Sequence, residues 1–296
     1  MASEDKLKRH ILIVNLLRRK ASTLEEIQNY LDYESEIHGG DYSISARTFS
    51  RDILAIASSL NIEIEYNRIS GKYEIVSDNT DDIIDKMIDA YNIFNALNMQ
   101  ENLENCLHME SSRPSGTEYL YPLIKAIRNK KEVRIKYAKF DTKAVSQRLL
   151  QPYGIKEFRN WWFLLAKDSN DGVLKNFAFD RIQELNVTTK EFEKDPDFDI
   201  NKYYQHSFGV TVLPDKEPQE VVLAIYDIER NYVKAMPYHS SQEIIEENEN
   251  RLIIKIYTYI TWELVAELRS KGSYIEVLSP QSLRDSLFNI KYYDQF

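Results

Sequence analysis

A chain of 296 residues is too long for one small hydrophobic core, so we expect two or three domains. Its composition, 43% hydrophobic and 29% charged, is that of an ordinary globular protein, and we find neither an apolar run of membrane-spanning length nor a secretory leader, which predicts a cytoplasmic protein with no membrane partner. The single cysteine, Cys106, excludes an internal disulfide and a cysteine metal cluster, and this fits a reducing compartment.

The charge of the chain is unevenly distributed. The formal net charge is −9, yet residues 119–194 carry 16 basic and 9 acidic side chains. A basic segment within an acidic chain favours an anionic partner at that segment, because its positive potential attracts phosphates that the rest of the chain repels. The alternative is that Lys130, Lys131 and similar residues are solvated strand ends.

Helical periodicity dominates the first sixty residues. Apolar residues recur at helical spacing in residues 6–19, and a capping box of Ser22 and Glu25 is expected to open a second helix. Ser45 can cap a third helix. The predicted buried side of that helix consists of Phe49, Ile53, Ile56 and Leu60.

Two short strands, residues 62–66 and 72–76, are predicted next, joined by a segment with the turn chemistry of a hairpin. Three helices followed by a hairpin describe a winged helix-turn-helix, whose third helix would enter the major groove of duplex DNA. Arg47 suits a bidentate contact with guanine, whereas Arg51 is either a DNA contact or half of an ion pair with Asp52. The candidate DNA-binding residues are Ser45, Arg47, Thr48, Ser50 and Arg51.

Residues 81–107 form a helical segment with a broad apolar stripe, which is either core packing or a dimer face. Cys106 is interpreted as a small buried residue of this segment. Because the N-terminal segment is nearly neutral, we expect DNA affinity to depend on a homodimer that doubles the phosphate contacts. The stretch 111–116 is rich in Ser, Pro and Gly and predicts a domain boundary.

The basic segment then becomes strand-like, and short strands at its spacing predict a small antiparallel barrel. These strands are residues 133–137, 146–153, 161–166, 174–179 and 182–187. Three arginines are candidates for holding a phosphate, namely Arg148, Arg159 and Arg181. Five aromatic residues could stack on bases, namely Tyr137, Tyr153, Trp162, Phe163 and Phe179. Such a combination suits single-stranded nucleic acid, although the aromatic residues could instead fill the interior of the barrel.

Within the third of these strands, alternation should place Trp162 and Leu164 on one face and Trp161, Phe163 and Leu165 on the other. With Tyr153 and the Asp180-Arg181-Ile182 motif, this strand resembles the core of the WYL domain, a bacterial regulatory module named for a Trp-Tyr-Leu triplet. The triplet would here be Trp162-Phe163-Leu164, so the hydroxyl of the family's tyrosine is missing at Phe163.

The carboxy-terminal hundred residues alternate between predicted strands and helices, which indicates a small α+β unit. Residues 237–242 and 279–284 are similar to the extension that follows WYL domains. The pattern from Ser45 to Ile53, with Gly71 and Tyr73, resembles the amino-terminal domains that accompany these modules. The resemblance implies an Sm-like or SH3-type barrel, a helical linker, and a ligand site that includes Arg181, Trp162 and Phe163.

Motifs for catalysis are missing from the sequence. There is no glycine-rich phosphate loop, no HExxH and no CxxC, and the five histidines show no metal spacing. His239 beside Ser240 does not suggest a nucleophilic pair, since sequence neighbours rarely form one. We therefore expect neither an enzyme nor a bound cofactor or metal.

These observations predict a multidomain α+β protein with four parts. They are a winged helix-turn-helix (1–78), a helical linker for dimerisation (79–117), a ligand-sensing WYL barrel (118–195) and a C-terminal α+β extension (196–296). The predicted function is a dimeric bacterial transcriptional regulator, expected to be a repressor, that binds double-stranded operator DNA. Its barrel would sense an anionic effector, a single-stranded nucleic acid or a nucleotide, and a role in phage defence is implied by the resemblance alone.

The predicted ligand-binding residues are Arg148, Tyr153, Arg159, Trp162, Phe163, Phe179 and Arg181. The alternative function is an accessory module that does not bind DNA and uses the WYL domain to bind RNA or a nuclease partner.

Overall fold

The computed structural model of this chain describes residues 2–38, 40–78, 82–97, 116–140 and 144–288. It divides the chain into two compact units, Met1–Glu110 and Ser111–Phe296. The predicted helix around Cys106 and most of the predicted linker 111–116 lie outside the described residues. No helix in the described ranges has the length and apolar character needed to cross a membrane.

The first unit consists of helices packed with one antiparallel hairpin, in the predicted order. The elements are α1 (Ala2–Arg19), α2 (Leu24–His38), α3 (Ala46–Leu60), β1 (Ile62–Asn67), β2 (Lys72–Asp78) and α4 (Asp82–Leu97). Apolar residues from all of the helices share one core, which includes Ile11, Ile27, Leu31, Phe49, Ile56 and Ile88. Helical spacing of these residues is what turns one face of each helix inward.

The start of α2 differs from the prediction by one residue. The capping box is formed by Thr23, which accepts from the backbone N–H of Glu26, and by the Glu26 carboxylate, which accepts from the backbone N–H of Thr23. Ser22 instead exchanges two backbone hydrogen bonds with Tyr73 of β2. The connection between α1 and α2 is therefore tied to the hairpin by a single β-bridge.

A buried ion pair holds α3 against α1. The Asp52 side chain is 3% exposed and accepts from Arg9 Nε at 2.8 Å, with His10 Nε2 at 3.2 Å from its other oxygen. Burial alone would raise the pKa of Asp52, but the hydrogen bonds from His10 and Arg9 lower it below its ordinary value. The sequence left open an ion pair between Arg51 and Asp52. In the structure Arg51 is exposed, and Asp52 pairs with Arg9 of α1 instead.

We expect Asp52→Asn to lower the free energy of unfolding of the first unit by about 2–3 kcal/mol, since it removes a charge-assisted pair and leaves Arg9 without its anion. Far-UV circular dichroism during urea unfolding should report the change. All three tryptophans (Trp161, Trp162, Trp262) lie in the second unit, so tryptophan fluorescence should report that unit and change little. Exposed Asp41→Asn is the matched control, and an equal loss in both variants would contradict the assignment.

The same pair predicts a pH dependence. The folded pKa of Asp52 is lowered, so its contribution to stability should be complete above the unfolded pKa of about 3.9 and should be lost as the pH falls through the folded value. Acid unfolding of the Asp52→Asn variant should accordingly show a weaker dependence on pH in this range.

The second unit begins with α5 (Leu120–Arg128) and an antiparallel five-stranded sheet. Its strands are β3 (Lys131–Ala138), β4 (Val145–Phe158), β5 (Trp161–Asp168), β6 (Leu174–Ala178) and β7 (Ile182–Glu191). They are ordered β6-β5-β4-β3-β7. Helix α5 covers one face through Leu123 and Ala126. The alternation predicted for β5 is present, with Leu164 in the core under α5 and Leu165 in a separate cluster on the other face.

The predicted Sm-like or SH3-type barrel is not confirmed, because β6 and β7 are the two edges of the sheet and no ladder joins them among the described residues. A three-residue 3-10 turn, Phe179–Arg181, connects these edges directly. The sheet must therefore curl so that its edges approach at this corner, and the turn takes the place of strand pairing. The fold that is confirmed is mixed α/β, and the five-stranded sheet of this unit has two open edges among the described residues.

A four-stranded antiparallel sheet makes up the rest of the second unit, after the short helix α6 (Ile200–Tyr204). The remaining elements are β8 (Gln219–Tyr226), α7 (Glu229–Ala235), β9 (Glu243–Glu247), β10 (Arg251–Thr258), α8 (Trp262–Ser270), β11 (Ile275–Ser279) and α9 (Gln281–Phe288). The strand order is β11-β8-β10-β9. Apolar residues of the sheet and of α7, α8 and α9 share a core, including Leu223, Val233, Ile254, Leu264 and Leu283.

The two sheets of the second unit meet at the turn between β4 and β5. Phe158 packs partly buried against the core of the four-stranded sheet, with its ring 6.0 Å from that of Phe208. At the turn itself, Arg159 and Asn160 both have positive φ, as a two-residue hairpin turn requires. The Arg159 guanidinium forms an ion pair with Glu267 of α8, so this turn joins the two sheets.

Candidate functional site

A cleft of about 500 Å³ opens on the five-stranded sheet beside the β6–β7 turn. We call it the basic cleft, and its charged lining residues are Lys139, Arg148, Asp168, Lys175 and Arg181. Four cations therefore face a single carboxylate. Such an excess of positive charge in a concave surface attracts anions and holds them at short range.

Arg148 is fixed in the basic cleft by a buried partner. Its Nη1 donates to Asp168 Oδ2 at 2.8 Å, and its Nε donates to Ser146 Oγ at 3.1 Å. Asp168 has no exposed surface, and its Oδ1 also accepts from the backbone N–H of Asn170 at 3.0 Å. Because these contacts use only part of the guanidinium, Arg148 keeps donors that a ligand could engage.

Lys175 and Lys139 contribute charge with less restraint. Lys175 pairs with the exposed Asp171 and lies 3.9 Å from Asp168 Oδ2. The Lys139 ammonium has no ion pair within the part of the chain that the structure describes. Both side chains are thus available to neutralise a second negative charge.

Arg181 is the cation of the basic cleft that has a buried donor without an acceptor in the described part of the chain. Its guanidinium carbon lies 3.9 Å from the centroid of the Phe140 ring, which is a cation–π contact. Its Nε is buried and has no hydrogen-bond partner among the described residues, and the same is true of Asp180 Oδ1. A buried donor without an acceptor costs about 1–3 kcal/mol of stability. An anionic ligand that accepts from Arg181 Nε would remove this cost.

Burial beside Arg181 changes the pKa of two neighbouring groups, Asp180 and Tyr137. Burial raises the pKa of the Asp180 carboxyl, and the positive charge of Arg181 opposes that rise. Burial also raises the pKa of the Tyr137 hydroxyl, which accepts a hydrogen bond from the backbone N–H of Ala178 at 3.2 Å. Tyr137 thereby holds the end of β6 in place under the cleft.

The predicted ligand residues fall into three groups. Arg148 and Arg181 lie in the basic cleft. Arg159 and Phe163 lie, again with Arg181, in a neighbouring cleft of about 340 Å³, which we call the aromatic cleft. The other predicted residues are elsewhere, with Trp162 packed against the core under α5, Phe179 1% exposed within that core, and Tyr153 in the cluster on the opposite face.

Several residues of the basic cleft were not singled out from the sequence, namely Lys139, Phe140, Asp168 and Lys175. Only Phe140 carried a signal in the sequence, because it is a large apolar residue among polar neighbours. In the structure its side chain is 65% exposed. Asp168 lies two residues beyond the predicted third strand, 161–166, and nothing in its sequence context indicates burial beside Arg148.

A second candidate surface is the outer face of α3 in the first unit. Four exposed residues recur there at helical spacing, namely Arg47, Ser50, Arg51 and Leu54. Ser45 Oγ caps the helix by accepting from the backbone N–H of Thr48 at 3.2 Å, and Ser50 Oγ donates to the Ala46 carbonyl at 3.0 Å. The hydroxyls of Ser45 and Ser50 therefore already have partners within the helix. Arg47 and Arg51 are the strongest exposed hydrogen-bond donors of this face.

Comparison with protein families gives two matches. The WYL domain matches residues 118–187 and the WCX domain matches residues 217–290. The basic cleft lies entirely within the first of these ranges. A comparison with curated proteins finds no match.

Two solved structures are similar to this chain at low identity. One is proteasome accessory factor B/C (PafBC) of Arthrobacter aurescens, at 17% identity and a TM-score of 0.35, covering 96% of this chain and 46% of that one. The other is described as a CRISPR Cas-related protein, at 12% identity and a TM-score of 0.39, covering 96% of this chain and 82% of that one. The chain thus spans about half the length of the PafBC chain.

Proposed function

We propose that this chain, which contains a WYL domain followed by a WCX domain, is a transcriptional regulator that binds duplex DNA and senses an anionic effector. The first unit would act as a winged helix-turn-helix, and the WYL domain would hold the effector. The preferred effector is a single-stranded oligonucleotide or a nucleotide. Repression and a homodimeric state are part of the proposal.

The observation that carries the effector site is Arg181. A buried Nε without an acceptor, in a cleft where four cations face one carboxylate, is the arrangement expected of a site that awaits an anion. Phosphate oxygens are acceptors that can satisfy the donors of Arg181 and Arg148 together, since guanidinium groups bind phosphate through two parallel hydrogen bonds.

The order of elements in the first unit supports the proposed DNA contact. Three helices, a hairpin and a β-bridge from Ser22 to β2 are consistent with the parts of a winged helix-turn-helix, in which α3 would be the recognition helix. Its outer face is open, and the ion pair of Asp52 with Arg9 leaves Arg51 exposed on that face. Leu54, which is 72% exposed, adds an apolar group suited to a thymine methyl.

Regulation requires that the effector bind two states of the protein with different affinity. In a dimer, an effector that favours one arrangement of the subunits would change the spacing of the two DNA-binding surfaces. The effector would then release or strengthen operator binding by no more than its differential affinity for the two states.

We expect Arg47→Ala to weaken binding to duplex DNA by about tenfold, because a bidentate arginine–guanine contact contributes about 1–3 kcal/mol. Fluorescence anisotropy at fixed salt, with the duplex upstream of the protein's own gene, would measure the loss. Arg19→Ala, an exposed arginine near the end of α1, is the control of equal charge. If both variants lose affinity equally, general electrostatics and not a contact from α3 would account for binding.

The near neutrality of residues 1–76, the predicted winged helix-turn-helix, favours one competing function. Residues 1–76 carry 10 basic and 12 acidic side chains, which is unusual for a DNA-binding domain. In this alternative the protein is an accessory module that uses the WYL domain to bind RNA or a nuclease partner. The two functions separate in one experiment, because an accessory module would bind a short single strand and no duplex, and Arg47→Ala would leave it unaffected.

A further inference from the structure

The aromatic cleft lies between the WYL sheet and helix α8 of the WCX domain. Its walls hold five aromatic side chains, namely Phe140, Phe158, Trp161, Phe163 and Trp262. Trp161 and Trp262 are 39% and 44% exposed, so large flat surfaces from both domains are partly open to solvent. Aromatic surfaces of this kind are what nucleobases stack on.

The aromatic cleft and the basic cleft are neighbours that share two residues, Arg181 and Phe140. The Arg181 guanidinium is stacked on the Phe140 ring at this shared wall. A ligand that spans the wall would place an anionic group beside Arg148 and Arg181 and a planar group between the tryptophans. A nucleotide has this division, with a phosphate at one end and a base at the other.

Glu263 gives the aromatic cleft a chemical preference. The residue is 5% exposed, and its Oε1 accepts from the backbone N–H of Thr211 at 3.0 Å and from Thr211 Oγ1 at 2.7 Å. Its Oε2 is also buried, yet it has no hydrogen-bond partner among the described residues. A buried carboxylate oxygen without a donor is costly, and here it belongs to a residue that lines the cleft.

A carboxylate oxygen accepts from N–H groups and repels carbonyl and ring-nitrogen lone pairs. Guanine presents two adjacent donors, N1–H and the N2 amino group, on its Watson–Crick edge. The corresponding edges of adenine and cytosine pair an amino group with a ring nitrogen acceptor, and thymine and uracil flank one N–H with two carbonyls. Guanine is therefore the base whose edge best matches an unpaired carboxylate oxygen.

We propose that the two clefts form one composite site for a guanine nucleotide, free or at the end of an oligonucleotide. The phosphate would bind Arg148 and Arg181, the base would stack against Trp161 and Trp262, and Glu263 would accept from its N–H edge. This inference rests on the proposed anionic effector and adds to it both the base and the contribution of the WCX domain.

Isothermal titration calorimetry of the full chain with four probes tests the proposal: GMP, 1-methyl-GMP, AMP and ribose 5-phosphate. We expect GMP to bind about tenfold or more tightly than each of the others, since 1-methyl-GMP lacks the N1 donor, AMP presents an acceptor there and ribose 5-phosphate has no base. A 5′-phosphorylated DNA tetranucleotide beginning with guanine tests whether the guanine nucleotide is free or belongs to an oligonucleotide. Tighter binding than GMP indicates an oligonucleotide, and equal binding indicates a free nucleotide.

Two variants assign the preference to residues. Glu263→Gln keeps an oxygen for Thr211 but can replace the unpaired oxygen with a donor, so it should remove the preference for GMP over AMP and leave ribose 5-phosphate unchanged. Trp262→Ala should weaken GMP and AMP alike by about tenfold, and Trp262→Phe should restore most of the affinity. Tyr274→Ala, another exposed aromatic residue of the WCX domain, is the control.

The outcomes separate the two levels of the proposal. If ribose 5-phosphate binds and guanine adds no affinity, or if Glu263→Gln retains the preference, the composite site is wrong and the anionic effector site stands. If the wild type binds none of the probes, neither the nucleotides nor the oligonucleotide, then the composite site and the anionic effector site are both wrong. Because 1-methyl-GMP changes the ligand and not the protein, its result holds even if Glu263→Gln folds poorly.

Discussion

Replacing Arg181 with alanine is expected to weaken binding of a short 5′-phosphorylated single strand by about 30- to 150-fold and to leave duplex binding unchanged. The loss corresponds to about 2–3 kcal/mol, the contribution of charge-assisted hydrogen bonds from a partly desolvated guanidinium. Arg181 is the residue for which this loss should be largest, because its Nε has no acceptor within the described chain and Phe140 already orients its side chain.

Fluorescence anisotropy with a labelled single strand and a labelled duplex, at one stated salt concentration, measures both affinities. Arg134→Ala is the matched control, because Arg134 lies on the same sheet at an exposed position of β3, outside the basic cleft, and its removal changes the net charge equally. A loss for Arg134→Ala as large as that for Arg181→Ala would mean that the field of the whole domain, and not the cleft, binds the strand. Parallel losses for strand and duplex in the Arg181 variant would indicate misfolding.

The second large effect is expected at Asp168. Its carboxylate is fully buried and holds Arg148 and the turn at Asn170, so Asp168→Ala would leave a cation and a backbone donor without their acceptor. Breaking a buried pair by removing one partner costs about 3–5 kcal/mol of stability. Arg148 should also lose its fixed position, so affinity for the single strand should fall although the cleft becomes more positive.

Urea unfolding followed by tryptophan fluorescence suits this test, since every tryptophan of the chain lies in the same unit as Asp168. Asp171→Ala is the matched control, three residues away, exposed and paired with Lys175. It should cost about 1 kcal/mol or less, as surface pairs do. If Asp168→Ala were as stable as Asp171→Ala, or bound the strand more tightly than the wild type, the role of Asp168 in orienting Arg148 would be wrong.

Periodicity explains why much of the fold could be predicted. The helices of the first unit bury one stripe each, and β5 alternates between two cores, so their patterns are visible in the sequence. Strand β9 was missed because all five of its side chains are exposed, so no alternation marks it. The open edges of the five-stranded sheet could not be predicted, because a count of strands carries no information about which edges pair.

The candidate site was only partly predictable for a related reason. Arg148 and Arg181 could be chosen from charge, since both lie in the basic segment, and Arg181 also from the family resemblance. The aromatic cleft joins β5 to residues about a hundred positions later, Trp262 and Glu263, and only the folded chain brings them together. The ion pair of Asp52 with Arg9 also joins residues that are distant in sequence, 43 positions apart, which is why Arg51 could not be assigned from its neighbour alone.

At the turn that contains Arg159, selection for heat resistance and selection for response to the effector should favour different residues. A left-handed backbone at a non-glycine residue costs about 1–2 kcal/mol, whereas the ion pair of the half-exposed Arg159 with Glu267 returns about 1 kcal/mol at most. A library screened only for survival at high temperature should therefore enrich glycine or asparagine at position 159. A library screened for response to the effector should keep arginine, because that side chain fastens the WYL sheet to the helix that carries Trp262 and Glu263.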